Sequence, residues 1–119
     1  MIEEYSFGLI KINGKTYHYD VIVLWTGEVL EWWRKESHLI DVEDVKSSVN
    51  LNPDTIIIGI GESGVAKVTE KAKEYIKEKG IKLIVNKTEE AVKNFNVISK
   101  NSEEKRKQNQ AIGLFHLTC

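Results

Sequence analysis

The stretch most suggestive of chemistry is the glycine-rich segment Gly59-Ile60-Gly61-Glu62-Ser63-Gly64, which follows a run of apolar residues. It matches the pattern G-x-G-x-x-G, in which glycines allow a tight turn and a close approach of the backbone to a pyrophosphate. Two features argue against a dinucleotide site. Asn86 and Lys87 stand where a ribose-binding acidic residue is expected, and the next helix is predicted to start at Thr69, five residues beyond Gly64. We favour the alternative, in which the glycines shape a sharp exit from a buried strand.

Neither a nucleophile nor a metal site is predicted. Ser63 lies in the sequence G-E-S-G, which lacks the spacing of a nucleophile elbow. The three histidines, His18, His38 and His116, are far apart in the chain. His116 and Cys119 are three positions apart, so a continuous strand would place them on opposite faces. We therefore predict no cofactor, no metal and no catalytic residue.

A ligand cleft is the alternative hypothesis, in which the protein is a small-molecule or anion-binding enzyme. Ligands bind beyond the carboxyl ends of strands in open α/β sheets, and a last strand beside the glycine-rich one would bring His116 there as the best candidate for a general base. The residues that would line such a cleft are Gly59, Gly61, Ser63, Gly64, Thr88, Asn96 and His116.

Adjacent tryptophans are the second feature with functional potential. Trp32 and Trp33 point to opposite faces if they lie in a strand, so one ring can reach the surface. Exposed aromatic residues concentrate at protein-binding hot spots, so Trp32 and Trp33 are the candidate interaction residues. The competing interpretation is that both rings pack in the core or over a sheet edge.

The first third of the chain reads as an antiparallel meander that carries these aromatic residues. Strands are predicted at residues 7–12, 16–25 and 28–33, and Asn13-Gly14 suits a two-residue hairpin turn.

From Asp41 onward the hydrophobic period changes to that of alternating helices and strands. Asp41 and Asp44 predict a capping box, and Thr69 and Thr88 are predicted to begin two further helices, with Thr88 as a cap. Buried strands are predicted at residues 55–60, 81–85 and 111–117, and residues 101–110 are predicted to be a solvated loop or a frayed helix extension. This order predicts a three-layer α/β fold, with helices on the faces of one mixed central sheet.

Length and composition limit what this fold can do. The 119 residues predict a single domain, residues 1–119. A net charge of −1 argues against nucleic acid. The apolar runs at 21–25 and 56–60 are far shorter than the roughly 20 residues of a membrane span. Cys119 is the one cysteine, so we expect no intramolecular disulfide and a reducing, cytoplasmic setting.

Three segments taken together resemble a small family of domains of unknown function. Its members include stand-alone archaeal and bacterial proteins, the mitochondrial complex I assembly factor 3 and an adipogenesis-associated cytosolic protein. The segments are Pro53-Asp54-Thr55-Ile56-Ile57-Ile58-Gly59-Ile60-Gly61, then Gly80-Ile81 with Thr88-x-x-Ala91 to Phe95-Asn96, and last Leu114-Phe115-His116-Leu117-Thr118-Cys119. The resemblance spans residues 7–119 and implies a three-layer α/β fold with a mixed sheet. It implies no catalytic residues.

The chain departs from that family before its last strand. Residues 99–110 are longer than the Glu-Gly-Arg-like connection of the family, and Arg106 is the arginine available to stand in for that motif. Our leading hypothesis is a non-enzymatic protein-binding or assembly-assisting module with an unknown protein partner. A homodimer is left open.

Overall fold

A computed structural model of the protein describes residues 1–104 and 110–119. Its helices and strands fall in the order predicted from residue 41 onward, with additional short strands. In chain order, the described elements are β1 (Ile2–Ser6), β2 (Leu9–Ile12), β3 (Lys15–Tyr17), β4 (Val21–Leu24), β5 (Val29–Glu31), β6 (Leu39–Ile40), α1 (Val42–Asn50), β7 (Thr55–Ile60), β8 (Lys67–Val68), α2 (Glu70–Glu78), β9 (Lys82–Asn86), α3 (Thr88–Glu104) and β10 (Ala111–His116).

A mixed central sheet is confirmed, and within the described residues its strand order is β5-β4-β10-β7-β9. β10 pairs with β7 in parallel and with β4 antiparallel, so the C-terminal strand lies in the middle of the sheet. β9 pairs in parallel with β7. The carboxyl ends of β7, β9 and β10 therefore meet at one edge of the sheet.

Each face of this sheet is covered, which gives the predicted three layers. Ile56 and Ile58 of β7 pack with α1 and α2 on one face. Ile57, between them, packs with α3 and the strands β1 and β2 on the other. An apolar run buried on both sides is what two covered faces require.

The predicted meander is split between sheets, which corrects the expectation of one sheet and of one strand over residues 16–25. In the described chain β1, β2 and β3 form a separate antiparallel sheet, and β4 and β5 belong to the central one. The predicted strand is interrupted at residues 18–20, which are not in a strand. There the side-chain carboxylate of Asp20 accepts a hydrogen bond from the Leu117 amide. Asn13 and Gly14 have positive φ angles of 49° and 84°, as the predicted hairpin turn requires.

The helix starts agree with the sequence signals. Asp41 and Asp44 form the capping box of α1, and the Thr69 hydroxyl caps α2 by accepting the Ala72 amide. α3 begins at Thr88 as predicted, but the prediction that Thr88 caps this helix is wrong, because its hydroxyl bonds to Gly61 and His116 instead.

The end of α3 agrees with the alternative of a helix extension, because this helix continues to Glu104. The expectation for residues 105–109, including Arg106, lies outside the described residues. In the part of the chain that is described, no helix is long and apolar enough to cross a membrane.

Candidate functional site

The glycine-rich turn after β7 is tightly packed against the start of α3. A side chain at Gly59 would place its Cβ 2.8 Å from the hydroxyl oxygen of Thr88. Gly61 and Gly64 have positive φ angles of 97° and 70°, a conformation that suits glycine. These observations agree with the interpretation that the glycines shape the exit of a buried strand.

The space above Gly61 is filled by the end of the chain itself. A Cβ at Gly61 would lie 2.6 Å from the main-chain oxygen of Thr118 and 2.7 Å from the carbonyl carbon of Cys119. The Glu62 amide also donates to the Thr118 oxygen at 2.8 Å. A ligand in the predicted cleft would therefore have to displace residues 118 and 119.

Thr88 joins three elements at this point. Its buried hydroxyl accepts the Gly61 amide at 2.9 Å and donates to the main-chain oxygen of His116 at 2.5 Å. The ends of β7 and β10 are thus tied to the first turn of α3. The hydrogen bonds of this hydroxyl are used within the protein.

The other predicted cleft residues separate into different environments. Ser63 is exposed, and Gly64 lies beside the Lys87 side chain. Asn96 lies elsewhere, because its side chain accepts the Ile2 amide at 3.1 Å and donates to the Ile2 oxygen at 2.8 Å. The structure therefore brings together Gly59, Gly61, Thr88 and His116, with Asn96 at the N-terminal strand instead.

A buried ionic cluster, which the sequence did not indicate, surrounds the His116 ring. Nδ1 of His116 lies 2.7 Å from Oδ2 of Asp20 and 2.8 Å from a terminal guanidinium nitrogen of Arg34. Arg34 and Asp20 form an ion pair at 2.6 Å. The side chains of Arg34, Asp20 and His116 are 6%, 18% and 5% exposed. The one available signal was that Arg34 is one of only two arginines in the chain.

Asp20 is held in its ionised form by this cluster. Burial alone would favour the neutral acid, but the contact with the His116 ring, the hydrogen bond from the Leu117 amide and the pairing with Arg34 outweigh it and lower the pKa of Asp20. The Leu117 amide donates to Oδ1 at 2.8 Å, which fixes the carboxylate plane. Asp20 therefore brings a negative charge to the end of β10 at neutral pH.

The second nitrogen of the His116 ring is turned toward the end of the chain. Nε2 lies 2.8 Å from the main-chain oxygen of Cys119, which accepts a hydrogen bond. Within residues 1–104 and 110–119, no group of three His, Cys, Asp or Glu side chains is arranged to hold a metal ion.

The two adjacent tryptophans have different environments. Trp32 is 5% exposed, and its indole N–H donates to the main-chain oxygen of Asp44 at 2.9 Å. Trp32 therefore does not present its ring as a contact surface, in contrast to the prediction that paired it with Trp33. Trp33 is 79% exposed. Both residues follow β5, which ends at Glu31 and not at residue 33 as predicted, so the alternation of a strand does not explain this difference.

Arg34 also fixes the segment that follows Trp33. Its other terminal nitrogen donates to the main-chain oxygens of Glu36 at 3.2 Å and Ser37 at 2.7 Å. The guanidinium carbon lies 4.9 Å from the centre of the Trp32 ring, within the range of a cation–π contact. The ionic cluster therefore links the end of β10 to residues 32–37.

Together these features define a small α/β domain with a filled strand-end cleft and one strongly exposed tryptophan on an anchored loop. The chain belongs to the family described as protein of unknown function (DUF498/DUF598), whose model matches residues 2–111. The resemblance to an α/β family of unknown function is thus confirmed.

Solved structures share this fold over almost the whole chain. A conserved hypothetical protein from Pyrococcus horikoshii is 25% identical, with a TM-score of 0.80 over 100% of this chain and 99% of that one. A Bordetella parapertussis protein is 14% identical, with a TM-score of 0.79 over 96% and 92% of the two chains. An outer membrane protein from Bartonella henselae is 16% identical, with a TM-score of 0.76 over 99% and 94%. The last two likenesses concern the fold alone.

Proposed function

We propose that this domain binds another protein and that the contact is centred on Trp33. The observation that carries the proposal is the 79% exposure of a tryptophan whose two neighbours in sequence both have buried side chains. Tryptophan is enriched among the few residues that carry most of the energy of a protein interface. Leaving such a ring in water is unfavourable, so a partner that covers it gains binding energy.

The backbone on each side of Trp33 is held in place. The Trp32 amide donates to the Asp20 main-chain oxygen at 2.8 Å, and the Trp32 indole is anchored on Asp44. Arg34 is anchored by Asp20 and by the carbonyls of residues 36 and 37. A rigid support lowers the conformational entropy that is lost when a partner binds.

The surroundings of Trp33 have the form of an interface with an aromatic centre and a polar rim. A shallow depression of about 220 Å³ beside the ring is lined by residues that include Glu31, Lys35, Glu36 and Ser37. Leu30, which is 41% exposed, lies in the adjacent strand β5 at the edge of the central sheet. We expect a partner surface with an apolar pocket for the indole and hydrogen-bonding groups of mixed charge around it.

The proposal is tested by site-specific photo-crosslinking in the native host. A photoreactive phenylalanine analogue replaces Trp33 in one strain and Phe7, an aromatic residue that is 56% exposed, in a matched control strain. We expect a protein to be captured at position 33 and not at position 7. Identification of the captured protein shows whether it is a second copy of this chain. Fractionation of the same host cells tests the expected cytoplasmic location.

The captured protein is then purified and its affinity measured by calorimetry. Because a hot-spot truncation costs about 2 kcal/mol or more, we expect Trp33→Ala to weaken binding by roughly 30-fold or more. Phe7→Ala should leave the affinity unchanged. Equal affinities for the wild type and Trp33→Ala would contradict the proposal.

A further inference from the structure

The three contacts of the His116 ring cannot all be hydrogen bonds in one protonation state. Nε2 faces the main-chain oxygen of Cys119, which only accepts, so Nε2 carries a proton. Nδ1 faces both Arg34, which only donates, and ionised Asp20, which only accepts. Nδ1 is an acceptor in the neutral ring and a donor in the protonated ring, so the proton selects one of these two partners.

Each protonation state leaves one unfavourable contact. In the neutral ring, Nδ1 accepts from Arg34 but faces Oδ2 of Asp20 at 2.7 Å, acceptor against acceptor. In the protonated ring, Nδ1 donates to Asp20 but faces the Arg34 guanidinium at 2.8 Å, donor against donor and cation against cation. The three side chains then carry a net positive charge in a site where none is more than 18% exposed, which is costly, although the Cys119 oxygen at Nε2 offsets part of this cost.

The other groups around the ring do not take part in a charge change near neutral pH. Asp20 stays ionised because its pKa is lowered. Tyr5, whose hydroxyl donates to the main-chain oxygen of Leu117, stays neutral because burial and the nearby charges of Glu62, Glu89 and Asp20 raise its pKa. On the Nε2 side the neighbour is the main-chain oxygen of Cys119, and on the side of α3 the Thr88 hydroxyl bonds to the main chain of His116. Histidine is the residue type whose charge ordinarily changes near neutral pH, and the donor and acceptor conflict at Nδ1 makes the proton on His116 the variable of this cluster.

Arg34 transmits this change to the loop that carries Trp33. Protonation of His116 removes the acceptor of one guanidinium N–H and places a second cation beside it. Since the Arg34 side chain is 6% exposed and donates to the carbonyls of Glu36 and Ser37, a shift of its guanidinium alters the support of that backbone.

We infer that His116 is a protonation switch that sets the position of residues 33–37 through Arg34 and thereby regulates partner binding at Trp33. The regulation of binding rests on the proposed function, whereas the coupling between His116 and the loop does not. Acidification should loosen the loop, and neutral pH should hold it in the anchored arrangement described above.

The coupling is tested by NMR on the His18→Gln/His38→Gln double variant, in which His116 is the remaining histidine. Both replaced residues are exposed, so the fold should be retained. The His116 ring nitrogens and the Trp33 indole N–H are followed from pH 8 to pH 5, with a Trp33→Phe spectrum to assign the indole signal. We expect the Trp33 signal to shift with the same midpoint as the His116 ring. A Trp33 signal that stays constant, or that follows another midpoint, overturns the inference.

A second variant separates the switch from the proposed function. His116→Gln introduces a neutral side chain that can still donate a hydrogen bond. In this variant the Trp33 signal should no longer change with pH, and a retained titration would overturn the inference.

The affinity for the partner captured at position 33 should fall between pH 8 and pH 5.5 in the wild type and stay constant in His116→Gln. If the Trp33 signal titrates with His116 but Trp33→Ala leaves the affinity unchanged, the coupling stands and the proposed function fails.

Discussion

Asp20 and His116 are 96 positions apart in the chain, yet Oδ2 of the first lies 2.7 Å from Nδ1 of the second. Asp20 immediately precedes β4 and His116 ends β10, so the contact joins the beginning of one strand to the end of its antiparallel neighbour. The break at Asp20 in the predicted continuous strand is therefore what allows the carboxylate to reach the end of β10. Through Arg34 the same contact supports the loop of Trp33.

We predict that Asp20→Asn lowers the free energy of unfolding by about 3 kcal/mol at pH 7, because it leaves the buried charge of Arg34 unpaired. The pKa of Asp20 is lower in the folded protein, so its stabilising contribution is complete above its unfolded pKa of about 3.9 and is lost as pH falls through the folded pKa. The difference between wild type and variant should therefore shrink below about pH 4. Urea unfolding between pH 7 and pH 2 measures the free energy of unfolding of both proteins.

Glu78→Gln, on the exposed face of α2, is the control and should leave that free energy nearly unchanged. A difference between wild type and Asp20→Asn that did not depend on pH would contradict the role assigned to Asp20.

Gly61→Ala tests whether the end of the chain fills the space above the glycine-rich turn. The new Cβ would overlap the Thr118 oxygen in addition to adopting an unfavourable positive φ angle. Gly80→Ala is a matched control, since Gly80 has a φ angle of 74° and a Cβ there would have no atom within 4 Å beyond its immediate neighbours in the chain. We expect Gly80→Ala to cost about 1–2 kcal/mol for the backbone alone, and Gly61→Ala about 1–3 kcal/mol more for the overlap. Thermal and urea unfolding give both values, and equal costs would show that residues 118 and 119 move aside freely.

The two tryptophans should differ sharply in their effect on stability. Trp32→Ala removes a buried ring and its indole hydrogen bond to the main-chain oxygen of Asp44, so we expect a loss of about 3–5 kcal/mol. Trp33→Ala removes an exposed ring and should change the stability by less than about 0.5 kcal/mol. Urea unfolding followed by circular dichroism measures both. A large destabilisation by Trp33→Ala would mean that the ring serves folding rather than binding.

The pKa of Asp41 should report on the contact between the first turns of α1 and α2. The hydrogen bond from the Val42 amide and the hydrogen bond from the Thr69 hydroxyl at 2.9 Å hold that pKa below its usual value. Thr69→Val removes the second of these, so the Asp41 pKa should rise toward its ordinary value while remaining lowered by Val42. Carboxyl-carbon NMR titration measures the change. Thr16→Val, at an exposed position in β3, should leave the Asp41 titration as in the wild type.

Local signals in the sequence were sufficient for most of the second half of the fold. The Asp41 cap and the helix start at Thr69 depend on a side chain and the amides of the next few residues, so they can be recognised without a tertiary structure. The cap predicted at Thr88 is wrong because its hydroxyl bonds to residues that are distant in the chain. The buried strand β7 was predicted with its bounds, because an apolar β-branched run has few other uses. The two-residue strands β6 and β8 are too short to produce a hydrophobic period and were missed.

The sequence by itself determined the α/β class, the order of helices and buried strands, and a glycine-rich turn shaped by backbone conformation, since these depend on neighbours along the chain. Only the tertiary structure decided which tryptophan is exposed, that residues 118 and 119 cover Gly61, and that Asp20, Arg34 and His116 form one cluster. The physical reason is that hydrogen bonds between residues more than 80 positions apart leave no period or spacing in the sequence. They arise when β10 enters the sheet between β4 and β7.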